Sequence, residues 1–294
     1  MYCPSALSFV LIIILMSLST DIFAQRKKKK QKEETQDTAE AWTMDKSMVK
    51  MLGFRSLGPA AYSGRISDIA VNPENTSEYY VGVASGGLWK TENHGITFKP
   101  IFDSYSSYSI GCVEVAPTNH NTVWVGTGEN NNQRSVSYGD GVYKSLDGGK
   151  TWQHLGLEAT QHISRIRIHP SNPDIVYVAA QGALHGPNQE RGIYKTIDGG
   201  KNWVKQLFVN SLSGAAELSM DMQNPEVLYA AMWEHQRLPW QVVSGGDGSG
   251  LYKTVDGGEN WITKRLPSIA RPASLLINPH APHILYLGMT TPPQ

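Results

Sequence analysis

Residues that can bind a ligand are concentrated in three polar segments of this 294-residue chain. Segments 126–141, 181–192 and 233–250 contain amides, arginines, histidines and tryptophans between glycines. Tryptophan offers a flat ring for stacking, and arginine offers a fork of N–H donors for carboxylates. The residues that we expect to face a ligand are Asn130, Asn131, Asn132, Arg134, Tyr138, His185, Arg191, Trp233, His235, Arg237 and Trp240.

The same segments hold acids that hydrolytic chemistry would need. Cleavage of a glycosidic bond uses a pair of carboxylic acids, or a tyrosine with an acidic partner. Glu129 and Glu234 are the candidate acids, and Tyr138 is the candidate partner. Their spacing singles out none of them. Binding without catalysis and hydrolysis of a glycoside therefore both stay open, and binding is favoured.

Composition argues against several other kinds of site. Lys+Arg and Asp+Glu balance at 26 each, so no overall charge favours nucleic acid or a membrane surface. The nine histidines follow no metal-ligand spacing, and neither a metal nor a cofactor is expected. Cys112 is predicted to be a buried, small apolar residue on a strand.

Four copies of one motif indicate what positions these segments. Each copy has glycine, an aliphatic residue, an aromatic residue and a lysine, followed by an Asx turn with glycine and a second aromatic residue. The copies lie about 55 residues apart, and repeats of this length built from strands and turns are typical of a propeller. Their lysines are Lys90, Lys144, Lys195 and Lys253.

Each motif predicts a strand, a tight turn and a second strand. The Asx side chain accepts backbone N–H bonds, glycine allows a positive φ, and the Ser or Thr two residues earlier braces the turn. The closing aromatic residue is expected to pack between neighbouring sheets. The residues with these structural roles are Asn93, Gly95, Ser145, Asp147, Gly149, Trp152, Thr196, Asp198, Gly200, Trp203, Thr254, Asp256, Gly258 and Trp261.

The rest of each repeat predicts two more strands with alternating apolar residues and proline at the strand ends. We therefore expect an all-β fold, a β-propeller of four-stranded antiparallel blades. The expected blades span about 66–103, 108–157, 162–210, 214–267 and 271–294. The fifth contains only its first two strands, so we expect these residues to be an N-terminal fragment of a longer protein.

A propeller blade separates its connections onto two sides. The turns between the first two and the last two strands lie on one side, and the other connections lie on the opposite side. Segments 126–141, 181–192 and 233–250 fall between the second and third strands. Long loops on a rigid scaffold are where binding residues concentrate. We expect the three loops to meet at the mouth of the central channel.

The motif resembles the Asp-box, or bacterial neuraminidase repeat, proteins, whose pattern is S/T-x-D-x-G-x-T-W. The copy at 145–152 fits every specified position, whereas the first copy has Asn93 and Phe98, and the third and fourth have Asn202 and Asn260. The resemblance covers roughly 52–290 and is nearest to secreted bacterial proteins of the sortilin type, which are often labelled glycosyl hydrolase.

This resemblance implies three functions. A sortilin-type propeller would bind a protein, a peptide or a glycan. A sialidase-like enzyme would place an arginine before the first Asp box, and Arg55 in F-R-S-L is a faint counterpart that lacks the Ile-Pro of that motif. The third function is an assembly scaffold, as in Asp-box factors of membrane complexes.

The first 48 residues have the composition of a targeting segment and a linker. Residues 1–24 are expected to be a cleaved signal peptide, 25–48 a charged disordered linker, and 49–294 the propeller. A secreted, periplasmic or cell-surface location follows. Because the leader lacks Lys and Arg before its apolar core and is followed by the basic run 26–30, an uncleaved membrane anchor is the alternative.

Overall fold

The computed structural model describes residues 64–131, 135–264 and 271–290. The described residues form a β-propeller fold of antiparallel sheets, with one short 3-10 helix at Glu158–Thr160. The all-β expectation is therefore confirmed. The predictions for residues 1–24 and 25–48 lie outside the described residues.

Three sheets each contain four consecutive strands of the chain in a meander. Blade 1 contains β1 (Ile66–Val71), β2 (Tyr79–Val83), β3 (Gly87–Thr91) and β4 (Lys99–Pro100). Blade 2 contains β5 (Ile110–Val115), β6 (Val123–Thr127), β7 (Val142–Ser145) and β8 (Gln153–His154). Blade 3 contains β9 (Ile163–Ile168), β10 (Val176–Ala180), β11 (Gly192–Thr196) and β12 (Val204–Leu207).

Blade 4 has an additional strand, and the fifth sheet has two described strands. Blade 4 contains β13 (Ser213–Met220), β14 (Leu228–Arg237), β15 (Val242–Ser244), β16 (Gly250–Thr254) and β17 (Ile262–Lys264). Blade 5 contains β18 (Arg271–Ile277) and β19 (Leu285–Thr290). The segment 233–250, which we expected to be a loop, is largely a hairpin, because β14 continues to Arg237 and pairs with β15. Alternating side chains in this segment favour strand pairing over an open loop.

The first strand of each blade contacts the first strand of the next, so these strands lie innermost. Each of them contains a β-bulge at the same place, where two residues oppose one on the second strand. The extra residues are all small, namely Ser67, Gly111, Ser164, Ala216 and Ala273. A bulge bends a strand and increases its twist, which suits a sheet that must turn around a central axis.

The hydrophobic core lies between blades rather than within a sheet. Trp124 of blade 2 is fully buried and meets Trp203 of blade 3 edge to face, at 6.2 Å between ring centroids. Trp152 packs on Phe102 in the same way between blades 1 and 2. Cys112 is buried in strand β5, as expected. Phe98 differs, since it is exposed and contacts Tyr79 of its own blade.

The Asp-box turns have the hydrogen bonds that the sequence predicts. In the second copy the Ser145 hydroxyl donates to Asp147 Oδ1 at 2.8 Å, and that oxygen accepts the backbone N–H groups of Lys150 and Thr151. Bonds from the Thr151 hydroxyl and backbone hold the pKa of Asp147 well below its usual range. The third and fourth copies make equivalent bonds, with asparagine in place of Thr151.

Candidate functional site

The two sides of the propeller are distinguished by which connections contact each other. On one side the Asp-box turns meet the turns between first and second strands, as when Gly148 N–H donates to Asn121 O at 2.9 Å. On the other side the loops between second and third strands meet the links between blades. There Gly128 N–H donates to Ser109 O at 2.8 Å. We call the latter the loop side, and the three polar segments lie on it.

A half-open cavity of about 400 Å³ lies on the loop side of blade 2. It lies between the link that joins blades 1 and 2 and the loop that joins β6 and β7. Tyr108 and Tyr138 line it and are 60% and 74% exposed. The Tyr108 hydroxyl lies 3.0 Å from Ser137 Oγ. We call this cavity the tyrosine pocket; its other lining residues are Ser106, Ser107, Val136, Gly139 and Asp140.

Asp140 is the charged residue of the tyrosine pocket and is held in place by three hydroxyl groups. Tyr143 donates to Asp140 Oδ2 at 2.6 Å, and Ser106 donates to the same oxygen. Thr127 donates to Oδ1 at 3.2 Å. Burial first, and then the bond to Asp140, raises the pKa of Tyr143 to about 12, so Tyr143 stays a donor at neutral pH. The carboxylate is thus a rigid acceptor at the pocket wall.

Two tryptophans of the predicted set lie on the hairpin of blade 4. Trp233 is half-buried, donates through Nε1 to Ser244 Oγ at 3.0 Å and stacks on His235 with 4.7 Å between ring centroids. Trp240 lies between β14 and β15 and is 80% exposed. Trp240 therefore presents a free apolar ring, whereas Trp233 helps to hold the hairpin.

Arg191 and His235 were expected to face a ligand, and the structure corrects this expectation. Both are fully buried. Arg191 donates through its Nη1 group to the carbonyl oxygens of Gln181 and Leu212, each at 3.0 Å. Burial lowers the pKa of Arg191 to about 10 and that of His235 to about 3. These two residues tie the loop of blade 3 to blade 4 and offer no surface to a ligand.

The remaining predicted residues occupy different places on the loop side. Asn130 Nδ2 donates to Ser164 O at 3.4 Å, and Asn131 Nδ2 donates to Glu129. His185 is exposed, with Nδ1 3.2 Å from Arg237 O. Asn132 and Arg134 lie outside the described residues.

Both candidate catalytic acids accept hydrogen bonds from other groups of the protein. Glu129 is buried and accepts from Arg65 Nε at 2.6 Å. Glu234 is half-buried and accepts the backbone N–H of Gly248 at 3.0 Å. Tyr138 lies in the tyrosine pocket instead. Arg55 lies outside the described residues.

Sequence reasoning missed an ion network on the inner strands. Arg165 of β9 donates to Glu217 of β13 through Nε at 2.7 Å and to Asp68 of β1 through Nη1 at 2.9 Å. Arg167 pairs with Glu114 at 3.0 Å. Burial raises the pKa of Glu114, and Arg167 opposes that rise. The sequence did contain a signal for this network. In β9, I-S-R-I-R-I, arginines alternate with isoleucines, and a search for apolar spacing alone does not consider them.

The described ranges 64–131, 135–264 and 271–290 contain no group of three His, Cys, Asp or Glu residues arranged to hold a metal ion. Within the same ranges, no helix is long and apolar enough to cross a membrane.

Comparison with known proteins agrees with the repeat and the fold. The family Sortilin-Vps10, described as sortilin, neurotensin receptor 3, matches residues 140–285. Four Asp-box turns on a blade scaffold are the features of an Asp-box β-propeller, and the family match agrees with them. The similarity to the sortilin family extends over residues 140–285. No curated protein matches the sequence.

Solved structures with a similar fold include three GH74 enzymes. An ancestral GH74 enzyme aligns with a TM-score of 0.59 at 22% identity, over 74% of this chain and 28% of its own. The GH74 enzyme of Niastella koreensis aligns with a TM-score of 0.56 at 20% identity, over 76% of this chain and 35% of its own.

The GH74 xyloglucanase of Xanthomonas campestris has a TM-score of 0.53 at 13% identity, over 75% of this chain and 33% of its own. This chain thus spans about a third or less of the length of these neighbours. At these identities the likeness concerns the propeller fold.

Proposed function

We propose that this propeller is a glycan-binding module whose ligand enters the tyrosine pocket on the loop side. The observation that carries the proposal is the combination of Tyr108, Tyr138 and Asp140 around one cavity of about 400 Å³. Sugar rings have an apolar face that stacks on aromatic rings and hydroxyl groups that donate to carboxylates. A pocket with both features, on a rigid scaffold, suits a polyhydroxyl ligand.

The rigidity of Asp140 adds to this argument. Its three hydroxyl partners leave the carboxylate in one orientation, because Tyr143, Ser106 and Thr127 all donate to it. A preorganised acceptor loses little conformational entropy when a ligand binds. Ser107 and Ser137 line the same cavity and add hydroxyl groups that can donate or accept.

The surroundings of the two candidate acids, Glu129 and Glu234, favour binding without hydrolysis. A glycosidase needs one carboxyl group that protonates the leaving oxygen and a second that attacks or activates water. Glu129 is buried and ion-paired with Arg65, and Glu234 accepts from the Gly248 backbone. Neither is presented freely to the loop side. Hydrolysis and a scaffold role are the alternatives, and the experiment below separates them.

The location that we propose is outside the cytoplasm, either secreted, periplasmic or on the cell surface. It rests on the apolar leader within residues 1–24. The alternative is an uncleaved anchor, and the N-terminal residue of the mature protein distinguishes the two.

The test is a glycan array that includes xyloglucan oligosaccharides, because one structural neighbour is a xyloglucanase, followed by calorimetric titration of the glycan that binds. Tyr138→Ala is expected to weaken binding about fivefold to tenfold, since it removes one stacking ring. Asp140→Asn is expected to weaken it by a similar factor. Leu146→Ala is the matched control, because Leu146 is an exposed apolar residue on the Asp-box turn of the opposite side.

Three results would contradict the proposal. One is an array on which no glycan binds. Another is binding that Tyr138→Ala leaves unchanged. A third is capture of peptides from a random library with no glycan bound, which favours the peptide-binding or scaffold role. Release of reducing ends from the bound glycan by the unmodified protein would instead establish the hydrolase.

A further inference from the structure

A second cavity, of about 280 Å³, lies on the side of the Asp-box turns, where the first box meets the turn of blade 2. Its charged lining residues are three lysines and one glutamate, namely Lys90, Lys99, Lys150 and Glu92. We call this cavity the lysine pocket. Because cations outnumber anions in its lining, the lysine pocket favours a negatively charged ligand.

The three lysines of the lysine pocket differ in their partners. Lys90 Nζ lies 2.8 Å from Glu78 Oε1 and 3.4 Å from Glu92 Oε1, so the protein already compensates its charge. Lys99 and Lys150 are exposed, and Lys99 Nζ lies 3.5 Å from Glu92 Oε2. Lys99 and Lys150 are therefore the cations that can turn toward a ligand, whereas Lys90 is a fixed part of the wall.

The first Asp box contributes an asparagine to the lysine pocket where the other three boxes have aspartate. Asn93 Oδ1 accepts the Thr97 backbone N–H at 2.9 Å and the Thr91 hydroxyl at 3.1 Å, which fixes the orientation of the amide. Asn93 Nδ2 then donates to Thr97 Oγ1 at 2.9 Å. Because Thr97 Oγ1 accepts in that bond, its own proton can be donated to a ligand in the pocket that Thr97 lines.

The other three boxes have the opposite polarity at this point. In the second box the Thr151 hydroxyl donates to Asp147 Oδ2 at 2.6 Å, so its proton is used and a carboxylate occupies the turn. In the third and fourth boxes an asparagine donates to the aspartate at 2.7 Å and 2.8 Å. The first box alone among the four thus combines a neutral turn residue with a hydroxyl proton that can reach an anion.

Glu92 is the group that an anionic ligand would have to displace. It occupies the position where the other three boxes have an exposed aliphatic residue, namely Leu146, Ile197 and Val255. Hydrogen bonding to Lys90, followed by the charges of Lys90 and Lys99, holds the pKa of Glu92 below its usual range. Glu92 therefore stays ionised at neutral pH and pairs with Lys99 as a ligand anion would.

The donors of the lysine pocket favour one shape of anion. Arginine matches a planar carboxylate with its fork of donors, whereas lysine is a compact point charge with three rotatable donors. Lys99, Lys150 and Thr97 approach the cavity from different chain segments. A tetrahedral group with three free oxygens can accept from all of them at once, and a sulfate or phosphate monoester is such a group.

We propose that the lysine pocket binds a tetrahedral oxyanion, the sulfate or phosphate group of a monoester. Lys99 and Lys150 contact the group as cations, and Thr97 donates its hydroxyl proton to it. Glu92 releases Lys99 when the ligand binds. The inference is independent of glycan binding in the tyrosine pocket, which lies on the opposite side of the propeller.

The test titrates the full chain with glucose 6-sulfate and with glucose 6-phosphate, and NMR follows the backbone amide resonances. We expect shifts at residues 97–99 and 148–150 with a Kd on the order of 1 mM, because exposed ion pairs are individually weak. The stronger of the two ligands identifies the ester. Glucuronate, whose anion is planar, should bind at least about threefold more weakly, and glucose should cause no shift.

Asn93→Asp is the sharpest variant, because it restores the residue of the other three boxes. The introduced carboxylate repels the ligand and takes the Thr97 proton, so binding should weaken at least about tenfold. The other boxes show that the turn accommodates aspartate. Asn172→Asp is the matched control, because Asn172 is exposed on a turn of blade 3 on the same side, and its Oδ1 likewise accepts a backbone N–H.

Substitutions of the other contacts have opposite expected effects. Thr97→Val should weaken binding about threefold, whereas Thr97→Ser keeps the hydroxyl and should bind as the wild type does. Lys150→Met should weaken binding by a similar factor of about three. Glu92→Gln should strengthen it about twofold to threefold, because the competing carboxylate is lost.

Three results would overturn the inference. One is the absence of shifts at both turns with either ester. Another is glucuronate binding as tight as that of the esters. The third is an equal effect of Asn172→Asp and Asn93→Asp, which would assign the attraction to overall charge. Tyr138→Ala should leave the shifts unchanged, so this test and that of the tyrosine pocket can fail separately.

Discussion

Arg165 and Glu217, on neighbouring inner strands, are joined by two parallel hydrogen bonds of 2.7 Å and 3.0 Å. The same guanidinium reaches Asp68 of blade 1 at 2.9 Å, across blade 2. One side chain thus links three blades along the channel. Burial lowers the pKa of Arg165, but the bonds and charges of Glu217 and Asp68 outweigh that effect and raise it.

Removal of the Arg165 charge should destabilise the propeller. Arg165→Met leaves Glu217 buried without its partner, and an uncompensated charge of this kind costs about 3 kcal/mol. The free energy of unfolding in urea measures the effect. The double variant Arg165→Met with Glu217→Met should recover much of the loss. Equal stability of wild type and Arg165→Met would contradict the account.

The second glycine of an Asp box should be required for stability. Gly200 has φ +97°, and a Cβ there would lie 2.6 Å from Leu155 and 2.9 Å from Trp124. Gly200→Ala is therefore expected to cost about 2 kcal/mol or more, from backbone strain and overpacking. Gly186→Ala is the control, because no atom lies within 4 Å of its Cβ position. Similar melting temperatures of the two variants would disprove the packing argument.

Stability should fall as pH falls from 6.5. Burial lowers the pKa of His162 to about 4 and that of His235 to about 3. Above pH 6.5 both are neutral in the folded and unfolded chains, so their contribution is fully present. Between pH 6.5 and the folded values, the unfolded chain binds more protons, and each histidine removes up to about 1.4 kcal/mol per pH unit.

Urea unfolding between pH 7 and 5 checks this dependence, because most carboxylates titrate below that window. His162→Gln should flatten the slope, whereas His280→Gln, an exposed control, should leave it unchanged. A slope that is unaffected by His162→Gln would assign the pH dependence to other groups.

Cys112 should be unreactive in the folded protein. It is 1% exposed, and burial raises the pKa of its thiol well above the usual range. The thiolate is the reactive form, so modification by a disulfide reagent should be slow without urea and fast with it. A Cys3→Ser background makes Cys112 the one thiol measured. Rapid labelling of the folded chain would show that the strand β5 opens readily.

The repeat, the strands and the Asp-box turns follow from local chemistry, so they are readable in the sequence. Asp147, its bracing Ser145 and the glycines interact within a few residues, and each of the four copies repeats the pattern. The strand positions agree to within a few residues for the same reason. The hairpin of β14 and β15 was not predicted, because Pro239 and the glycines of the segment 233–250 are typical of a loop.

The site depends instead on contacts between residues that are far apart in the chain. Tyr108 and Tyr138 line one cavity. Tyr108 lies in the link between blades 1 and 2, a segment whose composition did not suggest a binding site. Arg191 has the residue type and loop position of a ligand contact, yet packing turned its guanidinium onto four carbonyl oxygens. Local hydrogen bonds thus specify the blade, whereas burial between blades selects which polar side chains remain available to a ligand.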